Sequence, residues 1–154
     1  MVNLAQLKTE LQTDPAGLGY AAHVPHAPGS LADMLNAQSA TMAKPRMITA
    51  RGIMASYGLG PAAGAAFMDK LEVLSAGVPA IKWAMKFLQT EAGIDVGEPA
   101  TQLMLTSLIG AGGITAAEID GIKAMALQPA SRAEVLFGAG TQISEADVRA
   151  ALEV

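Results

Sequence analysis

The chain is 154 residues long, with 51% hydrophobic and 16% charged residues and a formal net charge of −4. This length suits one domain or two very small ones, and the composition excludes a disordered charged tail. The absence of cysteine excludes disulfides, thiolate metal sites and cysteine nucleophiles. Uncharged stretches at 52–68 and 99–117 are interrupted by Gly, Pro, Ser or Thr, so neither predicts a membrane span. The first residues lack the basic and apolar regions of a signal peptide, so export by that route is not expected.

The amino-terminal segment predicts a short helix followed by a flexible arm. Asn3 is a good N-cap, and Leu4, Leu7 and Leu11 share one face of the helix that follows. The helix is predicted to end before Asp14, where a loop rich in Gly and Pro begins. We therefore expect residues 1–29 to form an N-terminal helix and Gly/Pro-rich arm, and residues 30–154 to form a helical body.

The first half of the body contains several predicted helix starts and one extended segment. Lys44 precedes Pro45, which disfavours helical backbone, so residues 39–48 are predicted to be extended or irregular. Three helices are predicted to start in this part. Ser30, in a capping box with Asp33, opens a helix that runs through Gln38. Thr49 caps a helix that ends near Tyr57, and Pro61 opens a third.

The second half of the body is predicted to be helical as well. Pro79 opens a helix with Trp83, Phe87 and Leu88 on one side and Lys82 and Lys86 on the other, and Glu98-Pro99 opens another that stops at Gly110–Gly113. Three capping boxes predict helices at about 116–126, 132–137 and 145–153. No segment alternates as a strand would. The predicted fold is all-α, with several short helices around one small core and an extended N-terminal loop.

Charge is distributed unevenly along the chain. Residues 34–90 carry a net charge of +4 and residues 91–154 a net charge of −6. This layout is compatible with head-to-tail docking of copies, with a charged partner, or with solvated faces alone. Lys44, Arg46 and Arg51 form a basic segment that favours an acidic partner surface or, as a rival interpretation, nucleic acid.

No set of residues predicts catalysis, a metal or a cofactor. His23 and His26 are the only histidines, and no carboxylate or thiol near them completes a zinc site. No Gly-x-Ser-x-Gly elbow occurs, and the Gly-rich pieces at 58–60 and 110–113 suit helix C-caps better than phosphate loops. We therefore expect a protein without enzymatic activity, without a cofactor and without catalytic or metal-binding residues.

Two stretches at opposite ends of the chain carry distinctive turn and cap motifs. They are Asp14–Tyr20 with Leu35-Asn36, and Ser131–Glu134 with Gly138 and Ile143–Val148. These stretches resemble small structural proteins encoded in the virion gene clusters of tailed bacteriophages, in which an Asp-Pro-x-Gly-x-Gly-Tyr turn follows the first helix and a Leu-Asn pair closes the second. Position 18 is often basic in that pattern but is Leu18 here, the stretch 23–28 departs from it, and residues 44–128 do not match.

The resemblance implies a non-enzymatic component of the virion that is made in the host cytoplasm. It would lie on the capsid shell, as a cement protein, or at the head–tail neck. The implied partners are major capsid or head–tail proteins and further copies of the chain, with no membrane. Two alternatives are a small cytosolic helical interaction or regulatory module that binds nucleic acid through residues 44–51, and a hydrolase using His23 or His26.

The apolar stripe of the first helix is the predicted partner-binding element. Leu4, Leu7 and Leu11, with Tyr20 beside them, are expected either to dock on a neighbouring subunit or partner or to pack on the chain's own core. A helix of about ten residues is not stable alone in water, so one of the two must hold it.

Overall fold

The computed structural model describes residues 2–153, and it is mostly helical. The nine α-helices of this described part are, in chain order, α1 Leu4–Thr13, α2 Pro28–Asn36, α3 Ala50–Met54, α4 Pro61–Ser75, α5 Pro79–Leu88, α6 Pro99–Ser107, α7 Ala116–Ala124, α8 Arg132–Phe137 and α9 Glu145–Glu153. Single turns of 3₁₀ helix occur at Tyr20–Ala22 and Ala111–Gly113. The prediction of a helical fold is therefore confirmed in its coarse form.

Four short strands accompany the helices, and the sequence did not predict them as strands. They are β1 Ala40–Ala43, β2 Met47–Ile48, β3 Ile94–Asp95 and β4 Leu127–Ala130. β1 pairs with β4, and β2 pairs with β3 in antiparallel register, with Met47 opposite Asp95. Strands of two to four residues are too short to show alternation, and Pro129 lies inside β4.

The chain forms two compact units. Unit 1 contains the described residues up to Met42 together with those from Pro129 onward, and unit 2 is the segment Ala43–Gln128. The chain passes from one unit to the other within β1 and returns within β4. The sequence predicted a boundary between residues 29 and 30. The structure has none there, because α1 belongs to the unit that also contains the carboxyl-terminal helices.

Unit 1 has its own hydrophobic core. α9 packs against both α1 and α2, and α2 also packs against α8. The buried core residues of this unit are Leu7, Leu11, Tyr20, Leu31, Ala32, Leu35, Ala133, Ile143, Val148 and Ala151. The structure does not show the expected N-terminal loop as an extended one, since Tyr20 within it is fully buried and begins a 3₁₀ turn.

Unit 2 has a second core, so the expectation of one small core is wrong. α4 packs against α3 and α5, and α6 packs against α7. Among the buried side chains of this core are Ile53, Phe67, Leu71, Ile81, Met85, Leu88, Val96, Leu105, Ile119 and Ile122. A pattern of short amphipathic helices does not reveal which helices share a core.

Side-chain caps begin several helices where the sequence predicted them. The Asn3 side chain accepts a hydrogen bond from the amide of Gln6 at 3.1 Å. Thr115 and Ser131 each form both halves of a capping box, with Glu118 and Glu134. Helix α8 has the predicted bounds. Helix α2 begins earlier than expected, at Pro28, because proline suits the first helical position and Ser30 makes no capping hydrogen bond there.

The cap of α9 makes unit 1 sensitive to acid. The Asp147 carboxylate accepts hydrogen bonds from the Ser144 hydroxyl at 2.6 Å and the Ser144 amide at 2.9 Å, which hold the pKa of Asp147 below its ordinary value. A lowered folded-state pKa stabilises the fold above the unfolded pKa of about 4, and this stabilisation is lost as pH falls through the folded pKa.

We expect Asp147→Asn to remove that contribution. Between pH 5 and pH 2, urea unfolding should show a smaller loss of stability for the variant than for the wild type, because asparagine does not titrate. Asp120→Asn, at an exposed site outside this cap, is the control for the loss of a surface carboxylate. Identical pH profiles for Asp147→Asn and the wild type would contradict the prediction.

Candidate docking surface

The leucine stripe of α1 lies inside unit 1 and not on its surface. Leu7 and Leu11 are 0% and 2% exposed, Tyr20 is fully buried, and Leu4 is partly buried against the same core. The expectation that this stripe docks on a neighbour is therefore corrected in favour of the alternative, packing on the chain's own core. The reason is that α9 supplies an apolar face for α1 within the same chain.

A buried ion pair joins the two ends of the sequence within unit 1. Arg132 donates from Nε to Glu10 Oε1 at 2.7 Å and from Nη2 to Glu10 Oε2 at 2.8 Å. Glu10 is only 4% exposed, and these hydrogen bonds hold the pKa of Arg132 above its ordinary value. The Tyr20 hydroxyl donates to Glu10 at 3.5 Å, and burial, with the nearby Glu10 charge, raises the pKa of Tyr20.

Polar side chains of the two terminal stretches also meet in unit 1. The Asn36 amide donates to the Ile143 carbonyl at 2.8 Å and accepts from the Ile143 amide at 2.9 Å. The Asp14 carboxylate accepts from the amides of Leu18 and Gly19 at 2.8 and 2.7 Å, which closes the turn after α1. Together these contacts give structural roles to residues on which the phage resemblance rests.

The basic segment lies in unit 2, and its members have different environments. Arg46 donates from Nη1 to the Met125 carbonyl at 2.8 Å, and its backbone amide donates to Asp95 at 2.7 Å. Arg51 is exposed at the start of α3 and lines a shallow groove with Leu88–Glu91. Lys44 is half-buried, and its amide donates to the Ala126 carbonyl.

Aromatic residues that the sequence did not assign to a site lie beside these cations. The Arg46 guanidinium is 5.7 Å from the centre of the Tyr57 ring, and Tyr57 is 64% exposed. Tyr57 is distant from Arg46 along the chain, and β2 and α3 lie between them, so spacing alone gave no signal for this pair. A cation held against an exposed aromatic ring suits a binding surface, and it is also a common local packing contact.

Helix α5 presents its aromatic residues to solvent. Its buried residues are Ile81, Met85 and Leu88, whereas Trp83 and Phe87 are 58% and 53% exposed. The sequence placed Leu88 on one side with both aromatic residues, but the structure separates them. Because both sides of this helix are apolar, periodicity did not identify which one faces the core.

The exposure of Trp83 predicts a specific fluorescence result, since it is the only tryptophan in the chain. The Lys86 ammonium lies 4.2 Å from its ring centre. We expect acrylamide to quench the folded and the urea-unfolded protein to a similar extent, and iodide to quench the folded protein more than caesium does. Lys86→Ala should reduce the preference for iodide. Strong protection of Trp83 from acrylamide would contradict the exposed position.

Residues 2–153 show neither a candidate metal site nor a helix that could span a membrane. No group of three or more His, Asp or Glu in this range could hold a metal ion, and none of its helices is long and apolar enough to cross a bilayer. Comparison of the chain with protein-family models, with curated proteins and with solved structures finds no match. The candidate docking surface, which consists of the exposed basic and aromatic residues of unit 2, therefore rests on the geometry of this chain alone.

Proposed function

We propose that the chain is a non-enzymatic structural protein of a tailed-phage virion that docks in multiple copies on the capsid shell or at the head–tail neck. The carrying observation is the way in which the resembling residues assemble. The Asn36 side chain hydrogen-bonds the Ile143 backbone and so joins two of these stretches, and Asp14 and Arg132 hydrogen-bond other residues of the same unit. The motif therefore corresponds to one folded unit.

The remaining residues suit the docking part of this proposal. Residues 44–128, which do not match the phage pattern, nearly coincide with unit 2. Of the ten exposed large hydrophobic side chains in the described part of the chain, nine belong to unit 2. Single exposed apolar side chains are common, but neighbouring ones mark interaction surfaces, and Trp83 and Phe87 lie one turn apart on α5. Unit 1 is then a closed scaffold, and unit 2 carries the surface that contacts the particle.

A second candidate function is nucleic-acid binding through residues 44–51, favoured by the Arg46–Tyr57 contact. Phosphate contacts would make such binding weaken steeply with salt. A filter-binding titration with single-stranded and duplex DNA at two salt concentrations separates this function from docking. Binding that disappears in Arg46→Ala and Arg51→Ala variants would favour it.

Purified particles test the proposed function directly. Phage particles that contain the gene for this chain are banded in a density gradient, and absolute mass spectrometry gives its ratio to the major capsid protein. We expect several copies per particle, co-migrating with intact virions. An abundant host cytosolic protein in the same fractions measures contamination. A chain that is absent from the particle band, or present only at the contaminant's level, would overturn the proposal.

A further inference from the structure

Helix α5 carries an apolar ledge on its exposed side. At 100° per residue, Ala80, Trp83 and Phe87 fall on one face, which we call the α5 ledge. Its two aromatic residues are more than half exposed. The opposite face of the helix is occupied by core residues, so the ledge is the part of α5 left to contact another molecule.

Lysines border one side of the α5 ledge. Lys82 and Lys86 lie one helical turn apart, next to the aromatic pair, and Lys86 is held over the Trp83 ring. No acidic residue occurs between Glu72 and Glu91, so the charge of this helix is wholly positive. The exposed surface of α5 is therefore an aromatic centre with a cationic border.

We propose that the α5 ledge binds an acidic protein surface of the virion that offers an apolar pocket to Trp83 and Phe87. This inference rests on the proposed function and names the chemistry of the partner. Charge complementarity with Lys82 and Lys86 requires carboxylates beside the pocket. Aromatic side chains at the centre of an interface commonly carry most of its binding energy, and charged groups around them contribute orientation and association rate.

A second copy of the chain fits the ledge less well than an acidic partner does. A symmetric pairing of two α5 helices brings Lys82 and Lys86 towards the same residues of the other copy, which like charges oppose. Head-to-tail docking on unit 1 has favourable charge, because unit 1 has three basic and seven acidic residues. However, Val135 is the one exposed large hydrophobic side chain among the described residues of that unit, so unit 1 offers little apolar surface to two aromatic rings.

Nucleic acid also fits the ledge less well. Bases bind exposed aromatic residues by stacking on a free ring face. The Lys86 ammonium lies 4.2 Å from the Trp83 ring centre and covers one face of that ring. The exposed part of the side chain is better suited to insertion into a protein pocket, where the lysine can meet a carboxylate at the rim.

Binding of purified protein to particles or heads assembled without this chain tests the inference. We expect Trp83→Ala and Phe87→Ala each to weaken binding by about tenfold or more. Lys82→Glu/Lys86→Glu should weaken it similarly, whereas Lys82→Arg/Lys86→Arg should bind nearly as the wild type does. Leu103→Ser is the matched control, because Leu103 is 73% exposed in unit 2 but lies on α6. Circular dichroism confirms that each variant is folded.

A photo-crosslinking residue at position 87 identifies the occupant on the same particles. The expected product joins the chain to another virion protein within a peptide that contains Asp or Glu. A crosslink to a second copy, tight binding to a single-stranded thymidine oligonucleotide, or tight binding to phosphatidylserine vesicles that requires Trp83 would each overturn the inference.

The pattern of failure separates this inference from the proposed function. If the wild-type protein does not bind the particles, both are overturned. If it binds and the Trp83 and Phe87 variants bind equally well, the proposed function stands and the α5 ledge is not the docking surface.

Discussion

Arg132→Ala is expected to destabilise unit 1 by about 3 kcal/mol, because it leaves the Glu10 carboxylate buried without its partner. Removal of one member of a buried pair costs about 3–5 kcal/mol, and the lower end applies because the Arg132 side chain is 20% exposed. Small domains are stable by only about 5–15 kcal/mol, so this loss is a large fraction of the total. The Tyr20 hydroxyl would then be left beside an unpaired charge.

The matched control is Arg149→Ala, which breaks an exposed ion pair with Glu145 in the same unit. Both of its side chains are more than half exposed, so we expect a change of at most about 0.5 kcal/mol. Glu10→Leu/Arg132→Met should recover much of the stability, since an apolar pair of similar volume removes the uncompensated charge.

Residue-level amide hydrogen exchange is the appropriate measurement for these variants. A chain with two units need not unfold in one step, so one global unfolding free energy would mix the two. We expect faster exchange in α1, α2, α8 and α9 of the Arg132→Ala variant. Equal protection of these helices in Arg132→Ala and Arg149→Ala would contradict the structural role of the buried pair.

Gly97→Ala is expected to destabilise unit 2 by about 3 kcal/mol, at the upper end of the cost of overpacking. A Cβ atom at this position would lie 1.9 Å from the Lys44 carbonyl oxygen and 2.4 Å from its carbon. These are backbone atoms, which do not rotate away as a side chain does. The substitution therefore forces apart the segments that carry the Arg46 amide, the Asp95 carboxylate and the Gly97 amide.

Gly77→Ala provides the control for Gly97→Ala. Nothing lies within 4 Å of a Cβ atom at residue 77, and its φ angle is not in the left-handed region. We expect it to be neutral or to stabilise the protein by about 0.4–1 kcal/mol, through the unfolded state. Amide hydrogen exchange of the helices of unit 2, α3 to α7, compares the two variants. A Gly97→Ala protein as stable as Gly77→Ala would show that the close approach at residue 97 is absent.

Local signals in the sequence predicted several helix starts. Ser131 with Glu134, and Ser144 with Asp147, form hydrogen bonds within four residues, so their spacing alone identifies the start of α8 and α9. Pro61 and Pro79 likewise begin helices, because the fixed φ of proline suits the first turn. Features that depend on residues close together in the sequence can therefore be predicted from the local sequence.

Long-range contacts left no such signal. Asn36 binds the backbone of Ile143, and Glu10 binds Arg132, each across more than one hundred residues. The division into two units follows from these contacts and not from any linker of distinctive composition. In the candidate site, Arg46 and Arg51 were predicted from charge, but Tyr57 and the exposed side of α5 were not. Only the packing of Ile81, Met85 and Leu88 decides that Trp83 and Phe87 face solvent.

The central claim is that unit 1 is a closed scaffold and that unit 2 docks through α5. Hydroxyl-radical footprinting tests it by comparing the free chain with the chain in intact virions. In the free protein, oxidation should be high at Trp83 and Phe87 and low at Tyr20. In the particle, oxidation of Trp83 and Phe87 should fall strongly, while exposed Val135 of unit 1 should react as before. Unchanged oxidation of Trp83 and Phe87, or protection confined to unit 1, would contradict the account.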